Sequence, residues 1–76
     1  MSQTIGTITL FAGTFVPVGY AACNGQALLT IRNPALFSIL SNKFGGNVTT
    51  FNLPKLTPPQ GMSYIICVDG EYPERP

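Results

Sequence analysis

From Met1 to Ile31 the chain carries no charged side chain. A stretch of that length without Asp, Glu, Lys or Arg cannot offer the mixed charged surface that keeps a free-standing domain apart from its neighbours. The remainder adds little: the cations are Arg32, Lys43, Lys55 and Arg75, and the anions are Asp69, Glu71 and Glu74. Charged residues make up 9% of the chain, against ~25% in ordinary soluble domains. The 76 residues form a single domain, 1–76, and a small one. A core of that size supplies no more than ~3–5 kcal/mol without a staple, a metal or a partner subunit. Part of the neutral surface is therefore expected to be buried against copies of the same chain.

The same composition sets several function classes aside. Nucleic-acid binding needs clustered Lys and Arg to neutralise phosphates, and the net charge here is +1, spread along the chain. A membrane span needs ~20 consecutive apolar residues, but Thr, Gly, Pro and Asn interrupt every apolar run. The opening Met1-Ser2-Gln3-Thr4 has neither the positive start nor the following apolar segment of a secretory signal. The expectation is a soluble protein, without nucleic-acid or membrane partners. If it acts outside a cell, it leaves by lysis, by a dedicated export machine, or as a mature form without its leader.

Residues 4–11 alternate Ile and Leu with Thr and Gly, the pattern of a half-buried strand. Tyr20-Ala21-Ala22-Cys23 reads as a second strand, Asn24-Gly25 as a hairpin turn, and Gln26-Ala27-Leu28-Leu29 as the returning strand. Asn33 and Pro34 suit the cap and first position of a helix. Leu36, Ile39, Leu40 and Lys43 come next at helical spacing, Phe37 and Phe44 widen the stripe, and Gly45-Gly46 ends it. Residues 50–56 alternate as an extended edge that contains Pro54. Residues 63–68 are a continuous apolar run, as in a strand buried on both faces. The tail, residues 71–76, reads as extended and solvated. The predicted fold is α+β, mainly β, with short strands and one helix near residues 34–43.

The residues of catalysis are almost absent. The chain has no histidine, and its three carboxylates all fall in the last eight residues. Two thiols without histidine do not complete a zinc site within one chain. No enzymatic activity, cofactor or metal is expected. Cys23 and Cys67 admit two readings. One is a disulfide, within or between chains, worth about 4 kcal/mol for a loop of this length. The other is a pair of buried thiols acting as small hydrophobes. Phe37, Phe44 and Phe51 are expected in the core. Tyr20, Tyr64 and Tyr72 keep a polar tip and suit a wet interface or ligand surface.

Taken in order, the motifs resemble those of the phage tail collar domain, also the core of the microcystin-dependent proteins. The resemblance begins with Gly6-Thr7-Ile8, Leu10-Phe11-Ala12-Gly13-Thr14-Phe15, Pro17-Val18-Gly19-Tyr20 and Cys23-Asn24-Gly25-Gln26. Tyr20 stands where the family usually has Trp. It continues through Ala35-Leu36-Phe37-Ser38-Ile39-Leu40, Phe44-Gly45-Gly46 and residues 50–56, and ends with residues 64–73. Longer relatives carry a variable segment, often with histidines and glycines, before the last strand; here it shrinks to residues 57–62. The resemblance thus implies a collar alone, without the metal-holding receptor-binding head or the preceding fibre shaft.

The first functional expectation is a self-associating subunit of an extracellular filament or phage-tail-like appendage. Its candidate self-association strand comprises Ile5, Thr7, Ile8, Thr9, Leu10 and Phe11, adding to a neighbour's sheet edge. A second is a trimeric tail-fibre tip or collar module binding a cell-surface glycan through an exposed polar-aromatic patch, for which Tyr20, Tyr64, Tyr72 and Asn47 are the candidates. A third is a small accessory domain forming a closed oligomer without a ligand.

Overall fold

The computed structural model describes residues 3–73. Five strands and one helix run in the order β1 (Ile8–Phe11), β2 (Tyr20–Ala22), β3 (Ala27–Leu29), α1 (Pro34–Leu40), β4 (Thr50–Asn52) and β5 (Ser63–Cys67). They form an antiparallel three-stranded sheet, β1-β5-β2, and a two-stranded ribbon, β3-β4. The fold is α+β and mainly β, as predicted.

β5 organises the sheet. Ile66 lies opposite Ile8 of β1 and Ala21 of β2, while Tyr64 lies opposite Leu10. Side chains alternate across a strand, so Ile8, Leu10, Ala21, Tyr64 and Ile66 share one face. Onto that face α1 packs Leu36 and Leu40, joined by Ile5, Cys23, Phe51 and Leu53 in the main core. Phe37 packs against this core, its ring 5.3 Å from that of Phe51 at an angle of 56°. Ile65 and Cys67 point to the opposite face and are buried there too. The two-faced burial expected of the last apolar run is what β5 shows.

Four local expectations are corrected. β2 and β3 do not form a hairpin: β2 pairs with β5, and β3 with β4. Asn24-Gly25 does turn the chain, with Gly25 at φ +83° and Asn24 Oδ1 accepting from the Gln26 N–H. The turn carries the chain out of one sheet and into the other. Second, α1 stops at Leu40, three residues before the predicted end. Ser41 takes φ 53° there, and its N–H donates to the Phe37 carbonyl, so Lys43 falls outside the helix. The Asn33 side chain does not cap α1 either; its Nδ2 donates back to the Leu29 carbonyl.

Gly45-Gly46 has a different task from the expected helix stop. Gly46 pairs with Phe51, and a Cβ there would sit 2.5 Å from the Thr50 carbonyl oxygen and 2.7 Å from the Phe51 Cα. Only glycine lets this backbone approach β4 so closely. Third, Phe44, expected in the core, is 43% exposed because it lies past the end of the helix. Fourth, the start of the tail is docked. Glu71 forms a parallel bridge with Thr4, its N–H donating to Gln3 and its carbonyl accepting from Ile5. The Tyr72 hydroxyl is hydrogen-bonded to that of Ser38 on α1. Residues 74–76, part of the tail expected to be solvated, lie outside the described residues, as do residues 1–2.

Candidate self-association surface

The predicted first strand divides. Ile5 is buried in the core and cannot serve as a self-association residue, which corrects its place in that set. A turn closed by the Thr7 N–H on the Thr4 carbonyl, with Gly6 at φ +93°, separates Ile5 from β1. Beyond that turn, β1 runs along the edge of its sheet. Ile8, Thr9 and Leu10 are exposed, and Thr7 and Phe11 half-buried. The two large apolar side chains, Ile8 and Leu10, are 40% and 39% exposed.

The ladder decides which backbone groups of β1 face outward. The Cys67 N–H donates to the Thr7 carbonyl, so Thr7, Thr9 and Phe11 are the residues that bond to β5. In an antiparallel ladder bonded and non-bonded pairs alternate, which turns the N–H and C=O of Ile8 and Leu10 away from the sheet. None of these four groups has a hydrogen-bond partner among the described residues.

The other edges differ. On β2 the bonded position is Ala21, flanked by the Val68 N–H to Gly19 O and Cys23 N–H to Tyr64 O bonds. Of the outward groups, the Tyr20 N–H donates to Pro17 and the Ala22 carbonyl accepts from Gln26 Nε2. On β4 the Thr50 N–H donates to Asn47 Oδ1, the Thr50 carbonyl accepts from the Asn47 N–H, and the Asn52 N–H donates to Gly45. On β3 the outward residues are Ala27 and Leu29. The Leu29 carbonyl accepts from Arg32 and Asn33, while the Ala27 N–H, the Ala27 C=O and the Leu29 N–H have no partner among the described residues. β2 and β4 are thus largely tied off by their own chain, and β1 and β3 stay open.

The cysteines resolve toward one of their two readings. Both thiols are free and buried. Cys23 faces Tyr64 across the ladder, placing Cys67 three residues further along β5. At ~3.3 Å per residue that is about 10 Å along the strand, and on the opposite face. Bridged cysteines have Cα atoms no more than ~7 Å apart, so the intrachain disulfide is excluded in this fold. With exposures of 4% and 1%, neither sulfur is presented to a neighbouring chain. Burial pushes the Cys23 thiol up from its ordinary pKa, so it stays protonated and unreactive at neutral pH.

The tyrosines are not brought together. Tyr20 lies opposite Cys67 on one face of the sheet; Tyr64 lies on the other and packs against the core. Tyr72, 53% exposed, is tied to α1 through Ser38. The placement of Tyr20 and Tyr64 on opposite faces escapes a reading of spacing alone, because it depends on which strand each one joins.

The architecture defines a class: a minimal antiparallel β module with one short helix, its core shared between a sheet and a ribbon. Comparison with known families supplies the particular one. The chain belongs to the phage tail collar domain family, whose sequence model matches residues 6–59. The match takes in β1 to β4 and the helix and ends before β5. This is a structural family of phage tails, and membership suggests a virion-associated tail component. No curated protein matches the chain. No helix among the described residues is long and apolar enough to cross a membrane.

Proposed function

We propose that the protein is a self-associating structural subunit of an extracellular filament or tail-like appendage, its partner being further copies of itself. The observation that carries this reading is the β1 edge. Four adjacent backbone donors and acceptors face outward there, flanked by the exposed Ile8 and Leu10 and by no charge. Natural edge strands are normally blunted by Lys, Pro, a bulge or a covering loop. β1, whose sequence is ITLF, has no Lys or Pro. A partner strand satisfies the backbone groups and covers the apolar side chains at once. The low charge of the whole chain supports the same conclusion.

The glycan-binding alternative draws less support. Tyr20, Tyr64 and Tyr72 do not share a face, and no concave pocket is found among the described residues.

Negative-stain electron microscopy of the purified protein under non-reducing conditions tests the reading. Uniform filaments are expected, with Leu10→Glu reducing them to monomers by placing a charge in the contact. Wild-type protein that stays monomeric at every concentration overturns it. Deleting residues 1–8 is the poorer test, because the deletion also removes Ile5 from the core.

A further inference from the structure

We infer that β1 of one copy pairs with the outer edge of β3 in the next, so that growth proceeds head to tail between two different edges. This rests on the self-association reading above and names the partner surface that reading leaves open.

The four strand edges differ in how many backbone groups they leave free. An added strand needs consecutive outward N–H and C=O groups. β1 supplies the run Ile8 N–H, Ile8 C=O, Leu10 N–H and Leu10 C=O. β3 supplies the next longest run: Ala27 N–H, Ala27 C=O and Leu29 N–H. On β2 the free groups are the Tyr20 carbonyl and the Ala22 N–H, held between the Pro17 carbonyl and the Gln26 side chain. On β4 only the Asn52 carbonyl is left without a partner among the described residues.

The side chains agree with the backbone. Ala27 and Leu29 are exposed, Leu29 by 44%. Ile31 and Val48, flanking the Thr30–Thr49 hydrogen bond, continue the exposed apolar surface at that end of the ribbon. Neither β1 nor β3 carries a charge, so no ion has to be desolvated when they meet.

Symmetry separates this pairing from its main rival. If β1 met β1 of a second copy antiparallel, the contact would be isologous, would use up the open edge on both chains, and would stop at a dimer. β1 and β3 belong to different sheets, so joining them across two copies leaves one β1 and one β3 free at the ends. A heterologous contact of this kind continues until a ring closes or a filament grows.

The outward N–H positions provide the test. Leu10 and Ala27 each point their N–H away from the internal ladder. Leu10→Pro and Ala27→Pro therefore remove an outward donor, and put a ring in the path of an incoming strand, without breaking an internal bond. Assembly is read by size-exclusion chromatography with light scattering, and folding by circular dichroism. Each variant alone is expected to be a folded monomer. Mixed one to one, they should form a heterodimer and stop, since one retains β3 and the other β1.

Ala27→Pro protein that still polymerises, or a mixture that stays monomeric, overturns the β1–β3 pairing. If Ala27→Pro alone stops at a dimer, the contact is β1 with β1, and the pairing again falls while self-association stands. A wild-type chain that never assembles removes the parent reading. Should Ala27→Pro fail to fold, Ala27→Lys decides, since its exposed site tolerates the side chain. A loss of assembly of about tenfold or more supports the pairing, and wild-type assembly overturns it.

Discussion

β1 and β2 flank the same central strand, in the same antiparallel sense, and end in opposite conditions. β2 delivers the chain to Cys23 in the core, and its outer edge is drawn closed by Pro17 on one side and Gln26 on the other. β1 leaves Ile8 and Leu10 exposed and its outward backbone unpartnered among the described residues. The difference does not come from strand pairing, since both bond to β5 in register. It comes from the segments that adjoin each strand. The residues around β2 curl back with a carbonyl and an amide side chain, whereas those around β1 do not. In a chain with almost no charge, closing an edge with neutral groups is the means at hand, and it is used on one flank only.

The largest expected effect removes the strand both flanks share. Ile66 is fully buried and sits between Ile8 and Ala21. Ile66→Ala should cost about 2–5 kcal/mol in lost burial and cavity, comparable with the ~3–5 kcal/mol a core of this size supplies. Urea unfolding followed by circular dichroism should show no cooperative transition for the isolated variant. A wild-type midpoint would mean that β5 is not the organising strand.

A paired substitution then separates the flanks. Cys23→Ser leaves a hydroxyl in the core beside β2 and should destabilise by about 1–3 kcal/mol. Leu10→Ser on β1, at a side chain already 39% exposed, should cost only about 1 kcal/mol of monomer stability, and yet abolish assembly. The comparison breaks if the two lose equal stability, or if Cys23→Ser, where it folds, also fails to assemble.

How much of this is legible in the residues depends on how local each cause is. The strands, the start of α1 and the two-faced burial of β5 rest on alternation, Pro34 and an unbroken apolar run, all visible within a few residues. The collar resemblance carried by the ordered motifs agrees with the family to which the chain belongs. Asn24-Gly25 misleads because a turn dipeptide specifies local geometry and not which strands pair afterward. Gly45-Gly46 has the form of a helix stop, but Gly46 answers a close approach by the Thr50 and Phe51 backbone, and Gly45 one by the Asn52 side chain, that no local helix pattern reveals. Ile5 and Leu10 lie five positions apart, out of phase in a continuous strand, and the turn at Gly6 that breaks the strand between them sets Ile5 in the core while Leu10 stays exposed. The open edges are the least legible part, because a free N–H is defined by partners elsewhere in the chain.

The smallest effect tests the closed flank directly. The Gln26 amide donates to the Ala22 carbonyl at 2.9 Å in an exposed setting, so Gln26→Ala should cost no more than about 0.5–1 kcal/mol of monomer stability. Its consequence for assembly should be larger than its consequence for folding. Without the amide, the free β2 groups extend from the Tyr20 carbonyl and Ala22 N–H to include the Ala22 carbonyl, a run equal to that on β3. Electron micrographs of this variant should then show laterally joined filaments where single ones are expected of the wild type. Unchanged filament widths would assign the closure of β2 to the Pro17 turn alone, since Tyr20 would still be tied while Ala22 is released.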